Sequence, residues 1–133
     1  MSFGASSNDG VIAKLLGPLD LRLRSAQQAY TAYLEGGRTF LYASILYEHN
    51  AAARDISLRY GYRLPEHLQN DLLKLIFHID VWIVLWTDLR DRTSPKTTDQ
   101  FVFNNPVPFP RESVARISEY YHRQCVVCQK GPD

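Results

Sequence analysis

The sequence predicts an all-α fold, a bundle of four main helices with a long ordered loop before the last. Three observations lead there. Apolar residues recur at helical spacing through three long segments. Glycines and prolines punctuate the chain at the ends of those segments. The 133 residues suffice for one core and are too few for two domains of ordinary size. No internal repeat and no sustained heptad interrupts that reading.

Residues 1–10, rich in Ser, Gly, Asn and Asp, bury little and are expected to form a mobile leader. Val11 to Leu16 adds a short turn before Gly17-Pro18. The first long helix, Leu19 to Leu34, carries Leu19, Leu23, Ala26, Tyr30, Tyr33 and Leu34 on one side and stops at Gly36-Gly37, with Asp20 complementing the dipole at its start. The second, from about Thr39 to Tyr60, has a stripe of Tyr42, Ile45, Leu46, Ala52, Ala53, Ile56 and Tyr60. His49 falls inside that stripe, and Ala51 to Ala53 admit a close neighbour. Gly61 follows where a left-handed residue is wanted.

The third helix starts at Pro65, with Glu66 in its first turn, and extends to about Arg90. Its stripe runs from Leu68 through Ile79 and Trp86 to Leu89, and Leu73, Phe77, Val84 and Leu85 carry apolar surface further round. So broad a surface implies a central position combined with cover from a second subunit. Residues 91–109 form a long connection that begins polar and ends aromatic, with prolines at 106, 108 and 110 that forbid helix. The last helix runs from Pro110 to about Arg123, facing Val114, Ile117 and Tyr121 inward. The single helical domain is therefore residues 11–124, with a flexible tail at 125–133.

Composition narrows the function classes. Lys+Arg 15 against Asp+Glu 14 leaves no global charge to draw the chain to a phosphate backbone, so nucleic acid is unsupported as a partner. The most apolar stretch, Leu72 to Trp86, is broken by Lys74, His78 and Asp80 and falls short of a membrane span. The start of the chain lacks the basic and apolar regions of a secretory signal, and the two cysteines are too close to staple distant elements. A cytoplasmic setting is the expectation.

Four groups of residues carry candidate chemistry. His122, Cys125 and Cys128 stand at the spacing of metal sites and redox motifs. Zinc is the possible cofactor, with a fourth ligand from elsewhere or from a second copy; the alternative is two incidental thiols at a frayed end. Thiol exchange is disfavoured, because the pair follows a helix C-terminus, where a thiolate is not stabilised. His49, His78 and Asp80 lie within apolar runs, and a buried His–carboxylate pair between the second and third helices is a further expectation. The third group is aromatic. Phe101, Phe103 and Phe109 in the loop, with Trp82 and Trp86 on the third helix, either pack down or anchor a partner.

Arg116 and His122, separated by five residues, resemble the Arg-x4-6-His motif of HEPN-family ribonucleases, small helical domains that bring the pair together at a dimer cleft. The resemblance implies metal-independent RNA cleavage, with Arg116 steadying phosphate and His122 moving a proton. It covers those two residues, and Ile117 stands where that family is often polar. No glycine-rich phosphate loop, nucleophile elbow or His-Glu-x2-His pair occurs. The leading expectation is a non-catalytic, homodimeric helical interaction protein with a protein partner, acting as an adaptor, inhibitor or assembly factor. A HEPN-like ribonuclease or a zinc- or thiol-dependent regulator is the alternative.

Overall fold

The computed structural model describes residues 10–129. A π-helical turn, Val11–Leu16, leads into α1 (Gly17–Glu35), followed by α2 (Phe40–Tyr60), a 3-10 turn (Gly61–Arg63), α3 (Glu66–Thr93) and α4 (Arg111–Gln129). Among the described residues there is no strand, and Thr39 and Gln100 form an isolated antiparallel bridge. No described helix is long and apolar enough to cross a membrane. The expected leader lies outside the described residues except for Gly10, whose backbone is already helical.

The π turn is a consequence of Pro18, which has no N–H and whose ring presses on the carbonyl four residues back in a regular helix. The wider turn relieves this, and the Gly17 N–H donates to the Ile12 carbonyl, five residues back. Far from being a peripheral addition, the turn plugs the core against α2 and α4, with Val11, Leu15 and Leu16 only 2%, 0% and 1% exposed.

Helices α1 and α2 form a hairpin whose two glycines do different jobs. Gly37 takes a positive φ of 83°, which a side chain resists. At Gly36 a Cβ would lie 2.4 Å from the Tyr42 ring, so here the need is for space. The helices meet through small residues, with Ala26 and Ala29 of α1 and Ala43, Leu46 and Ala53 of α2 buried. That narrow seam corrects two expected inward stripes. Tyr30, Leu34 and Ile45 are exposed, because the closely approaching backbones leave room for alanine and none for larger groups.

Gly61 is not left-handed. Its φ of −61° and ψ of −24° carry the chain into the 3-10 turn, and glycine is needed because a Cβ there would stand 2.6 Å from Cδ2 of Leu72. Gln69 ties the turn down by donating to the carbonyls of Leu64 at 2.8 Å and Tyr62 at 3.1 Å. Helix α3 then supplies Leu68, Leu72, Leu75, Ile76 and Ile79 to a core shared with Leu15, Leu16, Leu19, Ala53 and Ile117. Each such buried aliphatic side chain contributes about 1.5–3 kcal/mol relative to exposure. Beyond Thr93, Ser94 adopts a left-handed conformation with φ 44° and ends the helix.

The long connection between α3 and α4 is packed down. Thr39 gives α2 no side-chain cap; instead the N–H groups of Phe40 and Leu41 donate to the loop carbonyls of Asp99 and Thr97 at 2.9 and 3.0 Å. Tyr33 donates its hydroxyl to the Phe101 carbonyl, and burial raises that phenol above its ordinary pKa. Phe101, 1% exposed, completes an aromatic cluster with Trp86, Phe40, Tyr47, Trp82 and Phe103. The Trp86 indole N–H donates to the Ala43 carbonyl at 3.2 Å, which satisfies the one polar atom of that buried ring. Helix α4 continues to Gln129, so the chain expected to loosen after Gln124 stays helical there.

Candidate functional site

The candidate site is built on the side of α3 that faces away from the core. At about 100° per residue, Leu73, Phe77 and Val84 fall within about 40° of one another and roughly opposite Leu75, Ile79 and Trp86. They are 58%, 57% and 66% exposed. The segment Val107 to Pro110 stands alongside the first half of this stripe, and together they enclose an open cleft of about 400 Å³. Its lining is Leu73, Phe77, Val107, Pro108, Phe109 and Pro110, with Lys74 as the charged member.

A polar clip positions that wall. The Nδ1–H of His78 donates to the Val107 carbonyl at 2.7 Å, Asn105 donates its side-chain amide to the His78 carbonyl at 3.3 Å, and the Val107 N–H donates back to Asn105 Oδ1 at 2.9 Å. Phe109 sets its ring edge-on to the imidazole at 5.5 Å between centroids and remains 42% exposed. The prolines at 106, 108 and 110 stiffen the same stretch. His78 is thus engaged in holding a loop.

The expected pairing among His49, His78 and Asp80 does not form, and none of the three is fully buried. Arg22 donates to Nδ1 of His49 at 3.2 Å, while Asp80 accepts from Nε of Arg54 across the α2–α3 seam. Arginines on neighbouring helices reach these acceptors first. Of the aromatic candidates, Trp86 and Phe101 are buried in the domain's own core and Trp82 and Phe103 are half-buried beside them. Phe109 is the exposed one.

Arg116 is committed elsewhere. Its Nε and Nη2 donate to the two carboxylate oxygens of Asp71 at 2.9 and 2.8 Å, and Ser113 adds a bond to Asp71 at 2.9 Å. Asp71 is only 5% exposed, and the Arg116 fork holds its carboxyl pKa below the ordinary range. This lock fastens α4 to α3. His122 is exposed, six residues further along the helix and about 120° around it, so the two do not converge within one chain. Burial, then the neighbouring Cys125 thiol, raises the phenol of Tyr121, which lies one turn before that cysteine. The side chain of Cys128 lies outside the described residues, and among those described no group of three or more His, Cys, Asp or Glu could hold a metal ion.

A second depression, lined by Phe40, Arg90, Asp91, Ser94 and Pro95, has its charges matched, since Arg90 donates to Asp91 and lies over the Trp86 ring. Sequence reasoning noted Leu73 and Phe77 as surplus apolar surface but missed the roles of Asp71, Ser113 and Lys74. It missed Asn105 too, although an Asn followed by Pro is a turn signal that could have found it. No protein-family model matches the chain, and no curated protein or solved structure matches it significantly.

Proposed function

We propose that this chain is a non-catalytic protein-interaction module, an adaptor, inhibitor or assembly factor, that binds through the outer face of α3 and the proline-framed wall beside it. One observation carries the reading: Leu73, Phe77 and Phe109, exposed by 58%, 57% and 42%, converge on one apolar cleft. Contiguous aromatic and aliphatic surface of this kind marks sites of association, because its removal from water supplies binding energy without any new polar match. The clip through His78 and Asn105 supports the same reading, since a wall already held in place loses little freedom on binding. The catalytic alternative lacks comparable support, as Arg116 directs its donors to Asp71. The setting proposed is the cytosol, where a free thiol such as Cys125 stays reduced.

A photoreactive amino acid placed at Leu73, in the native cell, tests this. It should crosslink to a defined protein, and Phe77→Asp should remove the crosslink while leaving the helical content intact. Crosslinks indistinguishable from those obtained at exposed Glu119 on α4 would dismiss the reading.

A further inference from the structure

We propose that the occupant of the α3 face is a second copy of this chain, docked with its own α3 antiparallel. The inference rests on the interaction reading above and names its partner. Its basis is the order of charges along the stripe. Lys74 sits at one end of the apolar run and Asp88 beyond the other. At about 100° per residue both lie on the same edge of the run. In an antiparallel pair related by a two-fold axis, like edges meet with their order reversed. An axis beside Val81 sets Lys74 against the partner's Asp88 and brings Phe77 within one residue of the partner's Val84. A parallel pair would instead bring opposite edges of the stripe together, leaving Lys74 and Asp88 on different sides of the interface and unmatched.

The charges are available for this. Among the described residues Lys74 makes no ion pair within its own chain. Asp88 is bonded to Arg92 at 2.8 Å in an exposed pair, and a carboxylate has acceptor sites for a second cation. Near the axis, Asp80 arrives already matched by Arg54, so the two copies bring paired charges together. The exposed apolar area is that of a small, weakly associating interface. Leu73, Phe77, Val84 and Phe109 together expose roughly 400 Å², about half of the ~800 Å² per partner in a standard interface, before the charged rim is counted. Phe109 and Pro108, standing beside Phe77, then flank the partner's Val84 and Asp88.

Charge-swap sedimentation provides the test. The wild type should sediment as a concentration-dependent dimer. Lys74→Glu and Asp88→Lys should each weaken dimerisation about tenfold, since two symmetric contacts turn repulsive. Mixing the two single variants should restore a heterodimer in which both contacts are attractive, and the double swap in one chain should restore the homodimer. Circular dichroism on each variant separates lost folding from lost association. A wild type that stays monomeric up to its solubility limit would overturn the dimer, as would single variants that dimerise normally. If such a monomer still binds another protein in a Phe77-dependent way, the dimer alone fails and the interaction reading stands. A monomer with no Phe77-dependent partner removes both.

Discussion

Asp71 shows how one buried side chain can organise two helices. It is buried, takes two bonds from Arg116 and one from Ser113, and so fixes where α4 lies along α3. Asp71→Ala leaves the Ser113 hydroxyl buried without its acceptor and is expected to cost about 2 kcal/mol. The lock also has a pH signature. Because the folded carboxyl titrates below its unfolded counterpart, the unfolded chain takes up the proton first as pH falls. The stabilisation is therefore complete above about pH 4 and fades through the lowered folded value. The gap in urea midpoint between wild type and Asp71→Asn should be wide at neutral pH and narrow progressively below that point; a constant gap would contradict the account. Gly61 makes a second residue-scale prediction. Its backbone tolerates any residue, so Gly61→Ala should lose about 1 kcal/mol through pressure on Leu72 alone, and adding Leu72→Val should recover part of that loss. Simple additivity in chemical denaturation would show that the contact is not the cause.

At the scale of elements, the informative piece is the connection between α3 and α4, which behaves as a structural member although it contains no regular structure. Its carbonyls cap α2, its Phe101 fills the aromatic cluster, and its Val107 is pinned by His78. Backbone groups that would otherwise be orphaned at a helix start are satisfied by a segment distant in sequence. Phe101→Ala should cost about 3 kcal/mol, as a large aromatic is removed from a fully packed position. The same change should open the loop to limited proteolysis between Ser94 and Phe103 well before the helices are cut, because the anchors on either side then lose their common support. Simultaneous cleavage of loop and helices would mean that the loop has no separate stability. His78→Ala, by contrast, should loosen the wall around Phe109 and leave the aromatic cluster intact, since the two sets of contacts are distinct.

At the scale of the whole molecule, two kinds of surface coexist on α3. One face builds the core, and the opposite face is flanked within the chain only by the segment Val107 to Pro110, among the described residues, and stays exposed. If that second face is covered by another copy, stability must depend on concentration, because mass action adds the free energy of association to that of folding. The melting temperature of the wild type should rise with protein concentration. That of Phe77→Ser should not, and at high dilution the two should agree within about 0.5 kcal/mol, as befits a surface change. Equal concentration dependence in both would move the association to some other face.

The sequence by itself determined the all-α class, the number of helices and nearly all of their bounds. Those properties are local: apolar spacing near 3.6, the breaks at Gly36-Gly37 and at the prolines, and dipole-matched Asp20 and Glu66 all act within a few residues. It also showed that α3 carries more apolar surface than one core can use. Tertiary structure decided which aromatics are structural and which remain exposed, that Arg116 belongs to Asp71, and that Asp80 belongs to Arg54. Each of those outcomes joins residues far apart in the chain. Periodicity says which side of a helix turns inward, but the partner met there depends on how closely the helices approach, and small residues such as Ala29, Ala43 and Ala53 set that distance only once the bundle is assembled.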